Sequence, residues 1–131
     1  AETRTKVCLC PGSNRYLGVG RAPVRLLLDH YVLPALGTDS LASNPQLSIW
    51  REMRCLRQDH PGVSPADIVA MATLGGAAAL GLEQSLGTLE PDKSSSFLSV
   101  RVPDRIATPA ALLEHLVENG PLQQPTWIEE D

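Results

Sequence analysis

The chain has 131 residues, of which 43% are hydrophobic and 20% charged, so it is long enough for one domain and too apolar to be disordered throughout. Its net charge of -4 argues against nucleic acid as a partner, because phosphate binding needs clustered Lys and Arg. No apolar run approaches the roughly 20 residues that span a bilayer, and no signal-peptide pattern opens the chain, so we expect no membrane partner. Three cysteines give no disulfide framework, and we therefore expect a cytoplasmic location.

The first part of the chain has the pattern of a strand, helix, strand unit. Residues 6–10 read as a buried strand that Pro11 ends, because proline cannot donate to a strand ladder. Glycine, serine and asparagine in residues 11–20 predict a long flexible loop. Residues 22–30 have the apolar spacing of a helix, and residues 32–38 form a second apolar run. Such a crossover predicts two parallel strands and an α/β fold.

A second helix is predicted from Asn44-Pro45, as the cap, to about Gln58. Its apolar stripe is expected to face the core, and three charged residues are expected elsewhere on its surface: Arg51, Glu52 and Arg54. Ser64 is predicted to cap the helix that follows, with Pro65 in the first turn.

The remaining elements are short. Thr73 is predicted to cap a separate helix of small residues, 74–80, which Gly81 ends. Residues 97–102 have the pattern of a strand, and Thr108 is predicted to cap a last helix that ends before Gly120. The tail beyond that glycine is rich in proline, glutamine and acidic residues, and we expect it to be loose apart from Trp127.

Asp39 is the residue that we expect to carry chemistry. It follows the strand predicted at 32–38, and chemistry in parallel α/β folds gathers where strands end at their carboxyl side. Its carboxylate could bind a metal ion or carry a proton, and the equally well supported alternative is that it only caps a turn or a helix. The three histidines, His30, His60 and His115, are expected to have surface or packing roles, because the first two lie roughly 20 Å from Asp39 along their own elements.

Several motifs occur in the order found in one known family. They are Cys10-Pro11-Gly12-Ser13-Asn14, Leu17-Gly18-Val19-Gly20, Leu36-Gly37-Thr38-Asp39 with Ala42-Ser43-Asn44, Met71-Ala72-Thr73-Leu74-Gly75-Gly76-Ala77, and Gly87-Thr88-Leu89-Glu90-Pro91-Asp92-Lys93. Together they resemble the deaminase and chlorohydrolase branch of the amidohydrolase superfamily, which includes S-adenosylhomocysteine, 5′-methylthioadenosine and guanine deaminases. The pattern departs from the family at Cys10, where histidine is usual, and at residues 92–96.

The resemblance implies the C-terminal part of a (β/α)8 barrel of the TIM type. Residues 1–82 would hold its last two strands, about 6–10 and 32–38, with their helices. Residues 83–107 would add a piece of the flanking β-sandwich, and residues 108–131 a terminal helix and a loose acidic tail. Because the first strand would lack neighbours, we expect the chain to be a fragment that self-associates, as a homo-oligomer, or pairs with an upstream segment.

The resemblance also implies a chemistry and a set of site residues. In the family, the aspartate after the eighth strand binds a divalent metal, commonly zinc, and shuttles a proton while metal-activated water attacks a C–N or C–Cl bond of a small-molecule substrate, here a purine-like heterocycle. That role carries over to Asp39 as catalytic residue and metal ligand, and Ser13, Asn14 and Ser40 become candidates for substrate binding. The fragment alone should hold no metal and be inactive. A non-catalytic paralogue or interaction module and a cyclic amide hydrolase remain the alternatives.

Overall fold

Two short parallel strands begin the fold. In the computed structural model, which describes residue 3 and residues 5–128, β1 (Cys8–Leu9) pairs with β2 (Ala35–Leu36). The register sets Leu9 opposite Leu36, and the pair is extended by the hydrogen bonds Ala35 N to Val7 O (2.8 Å) and Gly37 N to Leu9 O (2.9 Å). The predicted parallel pairing is confirmed, although the paired stretches are shorter than the apolar runs that predicted them.

Two helices join these strands. They are α1 (Pro11–Leu17) and α2 (Val24–Asp29). The expected flexible loop at 11–20 is therefore wrong over its first seven residues. Pro11 occupies the first helical turn, where its missing N–H is not needed, and Gly18 ends the helix with φ 67° in the left-handed region. Glycine and serine favour a loop locally, but contacts with the rest of the chain favour the helix.

The long helix α3 (Ile49–Asp59) begins later than the sequence predicted. Ser48 caps it, because its hydroxyl accepts a hydrogen bond from the Arg51 backbone amide. The predicted cap at Asn44 is wrong: this residue is fully buried, and its side chain bonds to other groups. The expected surface position of Glu52 is also wrong, because no part of this residue is exposed.

The next helical segment runs without a break through three stretches. These are α4 (Pro65–Ala70), a π-helical turn (Met71–Gly75) and α5 (Gly76–Leu80). Ser64 caps the segment as predicted, by accepting from the Asp67 amide, and Gly81 ends it at φ 72°. The predicted separate helix capped by Thr73 is wrong, since the Thr73 hydroxyl donates to the Val69 carbonyl inside the helix.

The last part of the chain forms two paired strands and one helix. β3 (Phe97–Ser99) pairs antiparallel with β4 (Thr126–Ile128), and α6 (Pro109–Asn119) lies between them in sequence with Thr108 as its cap. The strand predicted at 97–102 is thus shorter. In the tail, expected to be loose apart from Trp127, Thr126–Ile128 form β4, and residues 129–131 lie outside the described part.

The core lies between the parallel strands and the helices. Helices α3, α4 and α6 pack against one another, and the π-helical turn and α5 pack on β2. The buried hydrophobic cluster is Leu9, Val24, Leu36, Met53, Leu56, Val63, Ile68, Met71 and Val117. Within residues 5–128, no helix is long and apolar enough to cross a membrane.

Two adjacent glycines, where the π-helical turn meets α5, give a matched test of this packing. A Cβ on Gly75 would lie 2.5 Å from the Pro34 carbonyl oxygen, whereas a Cβ on Gly76 would meet nothing within 4 Å. Both glycines have ordinary helical backbone angles. Gly75→Ala should lower the free energy of unfolding by about 1–3 kcal/mol through overpacking, and Gly76→Ala should leave it unchanged or raise it by up to about 1 kcal/mol.

Urea unfolding of the two variants checks this prediction. Equal stabilities for Gly75→Ala and Gly76→Ala would contradict the close approach of this helix to β2.

Candidate functional site

Asp39 lies just beyond the carboxyl end of β2. It is exposed, and its backbone is in the left-handed region at φ 59°, a conformation that aspartate and asparagine adopt more readily than most residues. Because β1 and β2 are parallel and in register, the segment that follows β1 lies at the same edge. The carboxylate therefore faces the first turn of α1.

Two buried serine hydroxyls hold the Asp39 carboxylate. Ser13, on α1, donates to Oδ2 at 2.8 Å, and Ser43, in the loop after Asp39, donates to the same oxygen at 2.9 Å. Ser13 is 2% exposed and Ser43 is 6% exposed. Since both hydroxyls bond to Oδ2, neither occupies Oδ1.

These contacts favour the ionised form of the carboxyl group. The hydrogen bond from Ser13 lowers the pKa of Asp39 below its usual value, the bond from Ser43 and the backbone amide of Ser40 lower it further, and burial opposes them. The carboxylate is therefore charged at neutral pH, as a metal ligand or a proton acceptor must be.

The other two predicted substrate-binding residues have different surroundings. Ser40 contacts the carboxylate through its backbone amide, and its carbonyl accepts hydrogen bonds from the amides of Ser43 (3.1 Å) and Asn44 (2.9 Å). Asn14 follows Ser13 on α1 but lines an open surface groove together with Arg15, Arg21 and Gln58. Neither side chain is bonded to the Asp39 carboxylate.

A thiol also adjoins Asp39. The backbone amide of Asp39 donates to the Cys10 sulfur, while burial and the neighbouring Cys8 raise the pKa of Cys10 to about 11. The thiol is neutral at pH 7, so it adds no negative charge beside the carboxylate.

The described residues hold no complete metal site. Residues 5–128 contain no group of three or more His, Cys, Asp or Glu side chains placed around one ion. The histidines make local contacts: His30 Nδ1 lies 3.1 Å from the Leu26 carbonyl oxygen, and His115 Nδ1 lies 3.4 Å from the Asn119 amide nitrogen. The described residues therefore do not form a metal site around Asp39 by themselves.

Ser43 is the part of this cluster that the sequence analysis did not single out as a site residue. It lies four residues after Asp39, and the turn at 40–44 folds it back so that its hydroxyl reaches the carboxylate. A serine shortly after a loop aspartate is the only local signal, and it fits many turns equally well.

Comparison with known proteins places this chain in a family. The protein-family model described as "Amidohydrolase family" matches residues 1–124 of this chain. A 5-methylthioadenosine/S-adenosylhomocysteine deaminase from Moorella thermoacetica is 41% identical over 107 residues, which cover 76% of this chain and 25% of that protein. The chain thus spans about a quarter of the length of the curated relatives that it matches.

Solved structures of known proteins have a fold similar to that of this chain. The guanine deaminase of E. coli superposes with a TM-score of 0.81 at 24% identity, over 91% of this chain and 31% of that one. An atrazine chlorohydrolase from Arthrobacter aurescens TC1, crystallised with zinc, superposes with a TM-score of 0.74 at 26% identity, over 82% of this chain and 26% of that one. The chain belongs to the amidohydrolase family, and the resemblance to its deaminase and chlorohydrolase branch is confirmed.

Removal of the Ser13 hydroxyl tests the electrostatics of the site. Ser13→Ala should raise the pKa of Asp39, which a ¹³C NMR titration of the carboxyl carbon measures. A carboxyl whose pKa is lowered by folding adds stability above its unfolded pKa of about 3.9 and loses it as the pH falls through the folded pKa. The stability lost by Ser13→Ala should therefore be largest at pH 7 and shrink below about pH 3.9.

Ser40→Ala is the matched control. Ser40 contacts the carboxylate through its backbone, so this variant should keep the wild-type pKa of Asp39. An unchanged pKa in Ser13→Ala, or an equal rise in Ser40→Ala, would contradict the assigned contacts.

Proposed function

We propose that this chain is the C-terminal part of a metal-dependent hydrolase. In the intact protein it would act on a C–N or C–Cl bond of a purine-like or related heterocycle. Membership of the amidohydrolase family and the deaminase and chlorohydrolase relatives support this proposal. The observation that carries it is an ionised carboxylate at the common carboxyl end of two parallel strands.

The parallel pairing of β1 with β2 supports the proposal that the two strands belong to a larger sheet. We propose that β1 and β2 are the seventh and eighth strands of a (β/α)8 barrel, within residues 1–82, and that β3 and β4 belong to a flanking β-sandwich. The helices pack against the side of the strand pair that carries Leu9 and Leu36. Cys8, which alternates with Leu9 along β1, is exposed, which supports a barrel interior on that side of β1, while its partner Ala35 on β2 is buried.

The Asp39 cluster fits a metal ligand. The carboxylate is charged, and Ser13 and Ser43 orient it through Oδ2, as hydrogen bonds from neighbouring groups commonly orient metal-binding carboxylates. Zinc is the candidate ion, because the atrazine chlorohydrolase was crystallised with it. When bound, such an ion lowers the pKa of a coordinated water toward about 7 and so supplies a nucleophile at neutral pH.

Asp39 would then move the proton. Asp39 is ionised at neutral pH and so can accept a proton from the attacking water, and the same carboxyl group can deliver that proton to the leaving nitrogen. Ser13 and Ser43 would fix the orientation of the carboxylate during both transfers. Ser40, which adjoins Asp39, and Asn14, which follows Ser13 on α1, remain candidates for contact with the substrate.

The surroundings of the intact protein are also proposals. The two-stranded parallel sheet has unpaired edges, which supports pairing with further strands of the same protein or with a second copy. Three free cysteines support a reducing compartment such as the cytoplasm.

Replacement of Asp39 tests the proposed function. In the intact enzyme, Asp39→Asn keeps the size and the left-handed backbone preference of the side chain but removes its charge. We expect zinc content to fall well below that of the wild type, and kcat/KM for 5-methylthioadenosine or S-adenosylhomocysteine to fall by about 10²–10⁴-fold. Elemental analysis and a deamination assay measure the two quantities.

Asp92→Asn is the matched control, because Asp92 is also exposed and also has a left-handed backbone, at φ 67°. It should keep wild-type zinc content and kcat/KM. If Asp39→Asn behaves like Asp92→Asn, the proposed catalytic role is wrong.

A further inference from the structure

A buried carboxylate connects the two segments that carry the Asp39 cluster. Glu52, on α3, is completely buried. Its Oε2 accepts a hydrogen bond from the backbone amide of Gly12 at 2.6 Å, and its Oε1 accepts one from Asn44 Nδ2 at 2.8 Å. One side chain of the core therefore bonds both to the first turn of α1 and to the loop after β2.

Asn44 extends this connection to Asp39 itself. Asn44 is also fully buried, and its Nδ2 donates to the carbonyl of Thr38 at 2.8 Å. Its Oδ1 accepts from Arg51 Nη1 at 2.6 Å, so both ends of the amide are used. The peptide group that joins Thr38 to Asp39 is thereby fixed to the core.

The anchored groups are sequence neighbours of the groups that hold the carboxylate. Gly12 precedes Ser13, and Asn44 follows Ser43. Asp39 is exposed and has a left-handed backbone, a conformation with a free-energy cost in a non-glycine residue, so anchors on both sides help to hold it. Within residues 5–128, the Glu52 side chain accepts hydrogen bonds from both of these segments, which stabilises one relative placement of Ser13, Ser43 and Asp39.

We propose that Glu52 is a positioning residue for Asp39, which it holds in place through Gly12 on one side and Asn44 on the other. This inference rests on the proposed function, since it concerns the geometry of the same carboxylate. It does not make Glu52 a catalytic residue, because Glu52 is buried behind the loop and reaches the site only through these neighbours.

The chemistry of Glu52 predicts that glutamine will not make the same two bonds. A carboxylate offers two acceptor oxygens, and both receive donors here. A glutamine has one acceptor oxygen and one donor amide, so one of the two donors would face another donor. Space is limited as well, because a Cβ on Gly12 would collide with the Glu52 carboxylate.

The test uses the intact protein with the variant Glu52→Gln. We expect its affinity for Zn²⁺, measured by competition with a chelator, to fall by about tenfold, in the range seen when outer-sphere partners of a ligand are removed. We expect kcat to fall while KM changes less than twofold. A crystal structure of the metal-free variant should show the Ser13 Oγ to Asp39 Oδ2 distance beyond about 3.5 Å, outside hydrogen-bond range.

Val117→Ala is the control for a loss of stability alone. Val117 is completely buried on α6 and packs in the core. This variant should unfold at a lower temperature and keep the wild-type affinity for Zn²⁺. If Glu52→Gln does not fold, Asn44→Ser, which cuts only one of the two connections, takes its place with the same expectations.

A double-mutant cycle separates positioning from general support. In a background that carries Ser13→Ala and Ser43→Ala, the serine bonds that Glu52 positions are absent and only its connection through Asn44 to Thr38 remains, so Glu52→Gln should lower the affinity for Zn²⁺ by a smaller factor than in the wild type. An equal loss in both backgrounds, or unchanged affinity and an intact Ser13 to Asp39 bond in Glu52→Gln, would overturn the inference. If Asp39→Asn binds Zn²⁺ normally, the proposed function fails instead, and the metal-free crystal structure still decides whether Glu52 positions Asp39.

Discussion

The structure depends on the parallel pairing of β1 with β2. Because the two strands run in the same direction and in register, the segments that leave them meet at one edge. That edge is where Ser13 and Asp39 come into contact, although they are 26 residues apart in sequence. With antiparallel strands the same two residues would lie at opposite ends of the sheet, and no cluster would form.

The exposed carboxylate is supported by polar groups inside the core. A buried glutamate would destabilise the fold if its oxygens were unpaired. Here both oxygens accept hydrogen bonds, and the donors belong to the segments that need a fixed position. Glu52 therefore differs from the surface ion pairs of the chain, such as Arg25 with Asp29, which are exposed and contribute little to stability.

The sequence predicted the strand pair, the position of Asp39 and the helix caps Ser64 and Thr108, because these follow from apolar runs and local capping residues. It did not predict α1, since glycine and serine favour loops and the helix depends on distant contacts, such as Arg15 with Asp59 at 3.0 Å. Glu52 was assigned to the surface because it is charged. Its spacing, three residues after Ile49 and four before Leu56, places it in the apolar stripe, and that was the available signal.

The most direct test of the account is a crystal structure of the intact protein grown with Zn²⁺, with anomalous diffraction to locate the ion. We expect a zinc ion about 2.0–2.2 Å from a carboxylate oxygen of Asp39, with Ser13 and Ser43 still bonded to that carboxylate. An occupied zinc site to which Asp39 is not bonded would contradict it.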